Sequence, residues 1–460
     1  MRRYIWIILL FVIVAGMAFG PMLLSHQPPA DETLTLISPH WDGIRHEFER
    51  AFAEQFLKDT GKHIRITWLD LGGGTGEIRK YLDEKFKQAV QSRGVGADIL
   101  FGGGMDMLPT MADKNYFEPV LLDSALLNEL PESLNGQDLR DKKFRYYASC
   151  LSSFGFVYNK LVLEKAGLPA PQRWEDLGSP DYQGWVSCGD PAASGSLHMA
   201  FELVLQAQKW ENGYATLARM VSNTRAFNEG GVSIPRDVSL GQEAAGPCID
   251  FYATAPVRRQ GAIHLEFVIP KSVAVATPDC IAMLTGAPNK KAAEAFLRFV
   301  MSEAGQRLWY QARGTEGGPV DYDLERLPVM PRVYGMGLKT NTVTNPFTAK
   351  NNFTYDSRKG GARWTTLNDL WHAVLIDVHE PLWQARKAVI AAHRDDLDKV
   401  LCLPPLSEET VMKISKARLT ADARNSLRNK WSGWARAWYS KIEEAARTTL
   451  PPPEFIPAPE

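Results

Sequence analysis

Small hydroxyl and glycine residues precede an amphipathic segment in the stretch Trp185–Met199, WVSCGDPAASGSLHM. Trp185–Ser187 is a short apolar run typical of a buried strand, and the apolar spacing after Ser196 predicts a helix. Ser194 or Ser196 can cap that helix, and Gly195 lets another group approach its backbone closely. The first turn of a helix carries unpaired N–H groups at the positive end of its dipole, which favours phosphate, phosphonate or carboxylate. The stretch is therefore either an anion site or an ordinary capped helix whose serines bond only their own backbone.

Two further glycine-rich stretches each follow a predicted strand. The strand Ile64–Trp68 precedes Gly72–Gly76, and the strand Ala97–Phe101 precedes Gly102–Gly104. Neither is a nucleotide motif, because GGGTG lacks the GK[ST] ending of a phosphate loop and GGG is not GxGxxG. Each is either a tight turn or a point of ligand contact. The candidate contacts are Gly73, Gly74, Thr75, Gly103 and Gly104.

The first predicted strand, Leu34–Ser38, also ends in residues that can contact a ligand. Pro39 stops the strand, and His40 and Trp41 follow at its carboxyl end. His40 is either a ligand contact or a surface loop residue, and Trp41 either stacks on an organic ligand or covers the core. Strand, glycine-rich loop and helix recur at short intervals, which predicts an α/β fold with a parallel sheet. Ligands of such sheets bind beyond the carboxyl ends of the strands, where these loops would lie.

Two long extended segments indicate crossings between two lobes. Arg145–Asn159 is extended, small and aromatic, and a second extended segment covers Ile263–Ala276. Between them lies a complete α/β unit, including a predicted strand over Cys248–Tyr252. After the second segment the chain returns to strand and helix. Two α/β lobes joined by two crossings, with a cleft between them, explain that order.

Six stretches carry a resemblance to a known family: LISPHWDGIRHEF, GADILFGGG, SSFGFVYNKLVLEKAGLPAPQRWEDL, SCGDPAASGS, GPCIDFY and GAPNKKAAEAFLRFVMSEAGQRLW. The phrase over Phe154–Leu177 and the GAPN helix with its SEAGQ ending are the most specific of them. From about Leu34 to about Leu327 the chain resembles a type-2 extracellular solute-binding protein of an ABC importer, in the group that takes ferric iron, polyamines, phosphonates or sugar phosphates. The resemblance implies a periplasmic-binding-protein-like fold whose two α/β lobes close over the ligand by hinge bending.

The resemblance makes ferric iron one ligand hypothesis. It implies that a histidine after the first strand, a glutamate after the third and a tyrosine pair hold the metal. This chain has His40 in the first place, Gly102–Gly104 where the acid would be, and Asp250 followed by Tyr252 instead of two tyrosines. A hard cation requires several anionic oxygens, which this set supplies sparingly even with Asp250 as a substitute. Iron is therefore the second hypothesis, with His40, Asp250 and Tyr252 as ligands; otherwise Tyr252 is a half-buried strand aromatic.

Neutral hydrogen-bond donors dominate the other candidates, and such donors suit an oxyanion. Ser152 and Ser153 at the first crossing add their hydroxyls to those of Ser194 and Ser196. The sequence thus predicts capture of a small phosphate- or phosphonate-type anion in the inter-lobe cleft, with no cofactor. The predicted ligand-binding residues are His40, Trp41, Gly73, Gly74, Thr75, Gly103, Gly104, Ser152, Ser153, Ser194, Gly195, Ser196, Asp250 and Tyr252.

Composition argues against several other classes of protein. The 460 residues suit two or three domains, and 45% hydrophobic with 23% charged residues is typical of a soluble globular protein. A net charge of -1 does not indicate nucleic acid as a partner. Five cysteines without CxxC spacing indicate no zinc or redox motif, and their odd number leaves at least one thiol unpaired or intermolecular. The chain lacks GxSxG, HExxH and paired-carboxylate signatures, so an enzyme is not predicted.

The N-terminus has the features of an export signal. Arg2 and Arg3 precede Ile5–Leu24, a run of about 20 uncharged residues, which is enough to span a bilayer as a helix. The basic residues keep the N-terminus in the cytoplasm and direct the remainder of the chain to the outside. Residues 1–25 are therefore a signal peptide or a membrane anchor, and the rest is predicted to be periplasmic or extracytoplasmic. The predicted partners are a small anionic solute and the permease subunits of an ABC transporter in the cytoplasmic membrane, and the chain is predicted to be a monomer.

The last part of the chain lies outside the resemblance. Apolar periodicity predicts amphipathic helices over residues 335–450, and tryptophans recur every three to four residues in the last of them. Those tryptophans either pack against the lobes or contact a partner or a membrane interface. This region keeps open an alternative function, a membrane-tethered ligand-sensing module. The predicted organisation is 33–144 with 262–330 as lobe 1, 145–261 as lobe 2, 335–450 as a helical extension and 451–460 as a disordered proline-rich tail.

Overall fold

The structure, a computed structural model, describes most of the chain from residue 30 to its C-terminus. The predicted signal peptide or anchor over residues 1–25 lies outside the described residues, as does the candidate Gly73. Within them, no helix is long and apolar enough to cross a membrane. The described ranges are 30–71, 74–88, 94–104, 107–228, 231, 233–253, 264–273, 275–342, 345–348, 353–417, 419–448 and 450–460.

One mixed sheet runs through both halves of the molecule, in the strand order β2-β1-β3-β12-β7-β10-β8-β9, with β4 beside β12 and β11 beside β7. A separate hairpin joins β5 to β6. The strands are β1 (Glu32–Ile37), β2 (Ile64–Leu69), β3 (Ile99–Gly104), β4 (Phe117–Glu118), β5 (Ser133–Leu134), β6 (Gln137–Asp138), β7 (Tyr147–Asn159), β8 (Val186–Gly189), β9 (Thr224–Asn228), β10 (Ala245–Ile249), β11 (Leu265–Val268) and β12 (Ala276–Leu284).

Helices cover the sheet and form the C-terminal region. Short 3-10 helices occupy Trp174–Gly178, Pro180–Tyr182, Lys271–Val273 and Pro331–Gly335, and a π-helical turn occupies His372–Ile376. The α-helices are α1 (Asp42–Thr60), α2 (Thr75–Gln88), α3 (Leu108–Asp113), α4 (Ser124–Glu129), α5 (Lys160–Ala166), α6 (Gly195–Gln208), α7 (Trp210–Ser222), α8 (Ser233–Ser239), α9 (Lys290–Met301), α10 (Glu303–Tyr310), α11 (Ser357–Trp371), α12 (His379–Ala391), α13 (Asp395–Leu401), α14 (Glu408–Lys416) and α15 (Ala421–Thr448).

The prediction of a parallel sheet is confirmed for some of the strands and is wrong for others. β1 pairs in parallel with β2 and β3, and β8 pairs in parallel with β9 and β10, as the alternation of strand and helix predicted. β12 and β7 instead pair antiparallel with each other and with their neighbours β3 and β10. Parallel neighbours require a crossover helix between them, whereas β7 and β12 carry the chain across from one lobe to the other.

The first predicted crossing is β7, which belongs to both lobes. Its first half pairs with β12, where Ser153 lies opposite Ala276. Its second half pairs with β10 and β11, where Phe154 lies opposite Ile249. Every residue of β7 is buried, which explains its unbroken run of small and apolar side chains.

The second crossing lies slightly later than the sequence predicted. β11 pairs with the second half of β7, from Leu265 opposite Asn159 to Val268 opposite Phe156. The chain then reaches β12 on the other side at Ala276. Residues 265–268, which the sequence predicted in lobe 1, therefore lie in the sheet of lobe 2. The sequence of an extended segment does not by itself show which strand the segment pairs with.

Gly155 allows β7 and β11 to approach at the start of the lobe 2 sheet. A Cβ on Gly155 would overlap the carbonyl oxygen of Val268. We therefore expect Gly155→Ala to lower the free energy of unfolding by about 2–3 kcal/mol, measured by urea denaturation. Gly335→Ala is the control, because no atom lies within 4 Å of a Cβ built there. Equal stabilities of the two variants would contradict the expectation.

Two apolar cores support the two lobes. In lobe 1, the rings of Phe48, Phe101 and Trp309 pack together, with Phe48 and Trp309 centroids 4.4 Å apart. In lobe 2, the core continues without a break into the C-terminal helices, where the ring of Trp371 packs edge-on to Phe201 at 5.3 Å. The C-terminal extension is therefore built into lobe 2 rather than attached to its surface.

The proline-rich tail lies against α15 in an ordered conformation. The sequence had predicted that this tail is disordered. The indole N–H of Trp431 donates to the Pro459 carbonyl at 2.9 Å, and that of Trp434 donates to the Ile456 carbonyl at 2.8 Å. The ring of Phe455 packs edge-on to Trp438 at 5.2 Å. A proline-rich segment has free carbonyls, and the indole N–H groups of the tryptophan series bind them.

Candidate functional site

A cavity of about 550 Å³ lies between the two lobes. Its lobe 1 wall comes from the segments that follow β1 and β2 and from the end of β3, as expected for an α/β sheet. Its volume is that of a site for a small organic ligand. Nine of the predicted residues line it: His40, Gly74, Thr75, Gly103, Gly104, Ser194, Gly195, Ser196 and Tyr252.

Two helices, one from each lobe, begin at this cavity. α2 begins at Thr75 and α6 begins at Gly195. A Cβ on Gly195 would lie 3.2 Å from Oγ1 of Thr75, and one on Gly74 would lie 3.4 Å from the carbonyl oxygen of Ala193. The lobes are thus in contact at the helix starts, and the positive ends of two helix dipoles meet at one cavity.

Ser194 is the N-cap of α6, which confirms one of the two predicted capping residues. Its hydroxyl accepts a hydrogen bond from the Leu197 N–H at 3.4 Å and lies 3.1 Å from the hydroxyl of Ser196. Ser194 and Ser196 also line the cavity. The two interpretations of this stretch are therefore compatible, since the residues that cap the helix are also those that face the cavity.

The glycines at the end of β3 make room for His40. Gly102 and Gly103 have φ of +98° and +97°, a conformation that side chains with a Cβ rarely adopt. A Cβ on Gly102 would lie 2.6 Å from Cε1 of His40. The segment Gly102–Gly104 thus forms a tight turn, and its Gly103 and Gly104 form part of the cavity wall.

His40 is a buried, neutral histidine in the cavity wall. Its Nε2 lies 3.8 Å from Oδ2 of Asp279, which is too long for a hydrogen bond, and neither ring nitrogen has a hydrogen-bond partner among the described residues. Burial lowers the pKa of His40, so the imidazole is uncharged at neutral pH. One ring N–H is therefore left without an acceptor in the part of the chain that the structure describes.

An ion pair under the cavity was not predicted from the sequence. Asp279 lines the cavity and pairs with Arg326, whose side chain is fully buried with its guanidinium carbon 4.2 Å from the Phe251 ring centroid. Burial alone would raise the pKa of Asp279, but the positive charge of Arg326 outweighs it and holds that pKa well below its usual range. The negative charge of Asp279 is thereby compensated. The available signal was a single acid in the apolar run Ala276–Leu284.

Trp41 does not line the cavity. Its ring lies over Gly43 and packs edge-on to Tyr322 at 5.4 Å. It therefore covers apolar surface of lobe 1, which is the second of the two roles considered for it.

Ser152 and Ser153 of the first crossing, and Asp250 beside them, lie at the hinge rather than in the cavity wall. Asp250 accepts hydrogen bonds from the backbone N–H groups of Ser153 at 2.6 Å and Phe251 at 2.8 Å. Ser152 is buried in β7 opposite Thr277 of β12. The strand predicted over Cys248–Tyr252 ends at Ile249, and residues 250–253 turn helical, which directs Asp250 towards β7.

The three residues proposed for iron do not form a common set. Tyr252 and His40 line the cavity, whereas Asp250 does not and uses both carboxylate oxygens for backbone N–H groups. Burial raises the pKa of Tyr252 to about 12, so the phenol keeps its proton at neutral pH. Burial also raises the pKa of Asp250 to about 7. A hard cation prefers anionic oxygens, and this arrangement supplies few of them.

Several other residues of the cavity wall were not predicted. One of them, Trp364, comes from α11 in the C-terminal extension, which the sequence did not connect with the cleft. The unpredicted residues are Pro39, Glu77, Gln137, Phe154, Ala193, Met199, Gly231, Ile249, Phe251, Thr277, Pro278, Asp279 and Trp364.

His372 of the extension contacts the loop that leads into α6. Its Nδ1 lies 3.0 Å from Oδ2 of Asp190, and its Nε2 lies 3.0 Å from Oδ1 of Asp377. The interaction with Asp190 raises the pKa of His372, while the charge of Arg428 acts in the opposite direction. When it is protonated, the imidazole forms ion pairs that link the extension to the segment before Ser194.

His372 should make the stability of the protein depend on pH. Because its folded-state pKa is raised above 6.5, its contribution is fully present below that pH and is lost as the pH rises through the raised value. We expect His372→Asn to lower the free energy of unfolding more at about pH 5.5 than at about pH 8.5, measured by urea denaturation at each pH. A loss of equal size at both pH values would contradict this expectation.

Comparison with known proteins decides the family. Residues 96–328, which include most of the cavity wall, match the model of the family described as bacterial extracellular solute-binding protein. This chain belongs to that family.

The solute-binding protein is 30% identical over 184 residues to the phosphoglycerate transport regulatory protein PgtC of Salmonella typhimurium, a match that covers 40% of this chain and 45% of that protein. It is 26% identical over 218 residues to an uncharacterized protein of Haemophilus influenzae, covering 47% of this chain and 61% of that one. The match to PgtC thus spans about half of that relative's length.

Solved structures confirm the type-2 periplasmic-binding fold of this solute-binding protein. AfuA of Actinobacillus pleuropneumoniae, a periplasmic binding protein with bound fructose-6-phosphate, aligns with a TM-score of 0.60 at 18% identity, covering 75% of this chain and 99% of AfuA. The apo ferric ion-binding protein A of Pasteurella haemolytica aligns with a TM-score of 0.55 at 14% identity, covering 76% of this chain and 98% of that one. At these identities the likeness shows the fold alone.

Proposed function

We propose that this protein is the extracytoplasmic solute-binding component of an ABC importer and captures a small phosphate ester between its lobes. The observation that carries the proposal is the meeting of two helix starts, from opposite lobes, at one cavity lined by hydroxyl groups. Neither helix start alone would distinguish a ligand site from a capped helix. Their convergence beside buried His40, whose ring nitrogens have no hydrogen-bond partner within the described ranges, favours a bound oxyanion.

The oxyanion would be held by neutral donors. At the start of α6, the backbone N–H groups of Gly195 and Ser196 have no partner within the helix. The hydroxyls of Thr75 and Ser196 and the imidazole of His40 lie in the same cavity wall. Each helix start contributes about half an elementary positive charge, so two of them favour an anion without a lysine or arginine in contact.

The rest of the cavity favours an organic ligand over a bare ion. Its volume of about 550 Å³ is far larger than an inorganic oxyanion needs. Gln137 lines the cavity and is buried; its Nε2 donates to the Ala276 carbonyl at 2.9 Å, while its Oε1 has no partner among the described residues. A ligand hydroxyl would satisfy that oxygen. The names of AfuA with its bound fructose-6-phosphate and of the phosphoglycerate transport regulatory protein PgtC support a phosphorylated organic ligand.

Capture would be coupled to closure of the lobes. A ligand can favour the closed form only through contacts that the open form lacks. The pair of Thr75 in lobe 1 and Gly195 in lobe 2 supplies such contacts, because their separation changes when the hinge at β7 opens. Permease subunits in the cytoplasmic membrane would then receive the closed, loaded protein. We propose that the protein acts as a periplasmic monomer, exported by residues 1–25 and composed of the two predicted lobes and the helical extension.

The direct test is titration calorimetry of the purified protein against a panel of ligands. The panel contains fructose 6-phosphate, 3-phosphoglycerate, inorganic phosphate, methylphosphonate and ferric citrate. We expect saturable binding of at least one phosphate ester with one site per chain. Stoichiometric iron binding with a visible tyrosinate-to-iron absorption band, and no binding of the phosphorus compounds, would overturn the proposal in favour of the ferric alternative.

Ligand sensing is the second candidate function, because the relative PgtC is named a transport regulatory protein. The same cleft would then report the ligand to a membrane partner. Uptake of a radiolabelled phosphate ester by cells that lack the protein distinguishes the two functions. Lost uptake supports import, whereas normal uptake with lost induction of the transporter supports sensing.

A further inference from the structure

The C-terminal extension reaches the ligand cavity although it lies outside the residues that match the family model. Trp364 of α11 is half-buried in the cavity wall. We propose that the extension is part of the binding site and that Trp364 forms the apolar wall against which the organic part of a phosphate ester packs. This inference rests on the proposed function and names a specificity-determining residue for it.

The indole of Trp364 lies directly over the start of α6. Its Cη2 would be 3.9 Å from a Cβ on Gly195. On one face, the indole stacks on the ring of His198, with centroids 3.5 Å apart and an interplanar angle of 21°. A ligand whose oxyanion binds at Gly195 and Ser196 therefore places its carbon skeleton within reach of this indole.

Buried polar contacts fix the position of α11 on α6. Arg363 and Glu202 are both fully buried, and Nη2 of Arg363 lies 2.7 Å from Oε1 of Glu202. Arg363 also pairs with Glu408 of α14 at 2.6 Å. One turn along α11, the side chain of Asn368 is hydrogen-bonded to Nδ1 of His198 at 2.6 Å.

These contacts make Trp364 a preorganised part of the site. A shift of α11 would break a buried ion pair and leave both charges without a partner inside the protein. Burial lowers the pKa of His198 to about 3, so the ring under Trp364 stays uncharged at neutral pH. The indole is thus held as an apolar surface whose position does not depend on the ligand.

The apolar wall formed by Trp364 should affect the binding of phosphate esters and of inorganic phosphate differently. Inorganic phosphate at the helix starts needs no apolar contact, whereas a sugar or glycerate skeleton buries C–H surface against an aromatic ring. Trp364 should therefore strengthen the binding of phosphate esters and leave the binding of inorganic phosphate nearly unchanged.

The test compares Trp364→Ala and Trp364→Phe with a matched control, Trp383→Ala. Trp383 is another half-buried tryptophan of the extension, packed beside Gly184 and absent from the cavity wall. Affinities for fructose 6-phosphate, 3-phosphoglycerate and inorganic phosphate are measured by calorimetry on the full chain. For the ester that the unmodified protein binds, we expect at least about a tenfold loss in Trp364→Ala, a smaller loss in Trp364→Phe and no change in Trp383→Ala.

The remaining outcomes separate the two hypotheses. Ester binding that Trp364→Ala retains, or an equal loss for ester and inorganic phosphate, overturns the role of Trp364 while the proposed function stands. Failure of the unmodified protein to bind either ester overturns the proposed function together with this inference. Should Trp364→Ala fail to fold, the expected partial loss in Trp364→Phe decides the question, since that variant keeps an aromatic ring.

Discussion

Gly195→Val should reduce the affinity for fructose 6-phosphate or 3-phosphoglycerate at least about 100-fold, a loss of about 2.7 kcal/mol of binding free energy. Gly195 is the first residue of α6, and a Cβ at this position would already lie 3.2 Å from Cβ and Oγ1 of Thr75. The two methyl groups of valine would fill the space between the helix starts. They would keep the lobes apart and obstruct the approach of an oxyanion to the N–H groups of Gly195 and Ser196.

Gly433→Val is the matched control for this substitution. Gly433 lies in helix α15, and no atom lies within 4 Å of a Cβ built there. Calorimetry on both variants should show full affinity for Gly433→Val. Unchanged affinity in Gly195→Val, with unchanged thermal stability, would show that the ligand does not bind where the lobes meet.

The second large effect concerns stability. Arg326→Met should lower the free energy of unfolding by about 3–5 kcal/mol, because it removes a fully buried guanidinium and leaves the partly buried carboxylate of Asp279 without its counter-charge. The substitution also removes the stacking of the guanidinium on Phe251. Urea denaturation at neutral pH measures the change.

A double-mutant cycle separates the charge effect from the loss of packing. Asp279→Asn combined with Arg326→Met removes both charges, so we expect the double variant to be more stable than Arg326→Met alone. An Arg326→Met variant within about 1 kcal/mol of the unmodified protein would mean that Asp279 does not depend on Arg326 for charge compensation.

Local sequence patterns predicted the parts of the site whose conformation is set by residues adjacent in sequence. Ser194–Ser196 combine a helix cap with a glycine, and Gly102–Gly104 follow an apolar strand, so each carries its own structural signal. The position of His40 after Pro39 placed it at the carboxyl end of β1. The long extended run of β7 likewise indicated a crossing.

The candidate residues that lie outside the cavity wall have partners that are distant in sequence. Trp41 lies next to His40 but packs on Tyr322, and Asp250 lies next to Phe251 but binds the backbone of Ser153. In neither case does the local pattern state which way the side chain points. One residue of difference along a strand or turn reverses the face that a side chain occupies.

Trp364 shows why the role of the extension was not predictable. Its helix has the amphipathic period of any helix that packs on a domain, and periodicity does not identify the surface that it covers. The contact that places it joins His198 and Asn368, which are 170 residues apart. Only the assembled lobe 2 core shows that α11 reaches the cavity.

A crystal structure of the protein with a bound phosphate ester is the most direct test of the central claim that two helix starts from opposite lobes hold the anion. The phosphate oxygens should lie about 3.0 Å from the N–H groups of Gly195 and Ser196 and from the hydroxyl of Thr75, with the lobes in contact. A phosphate group outside the inter-lobe cavity, or one that contacts residues of a single lobe, would contradict the account.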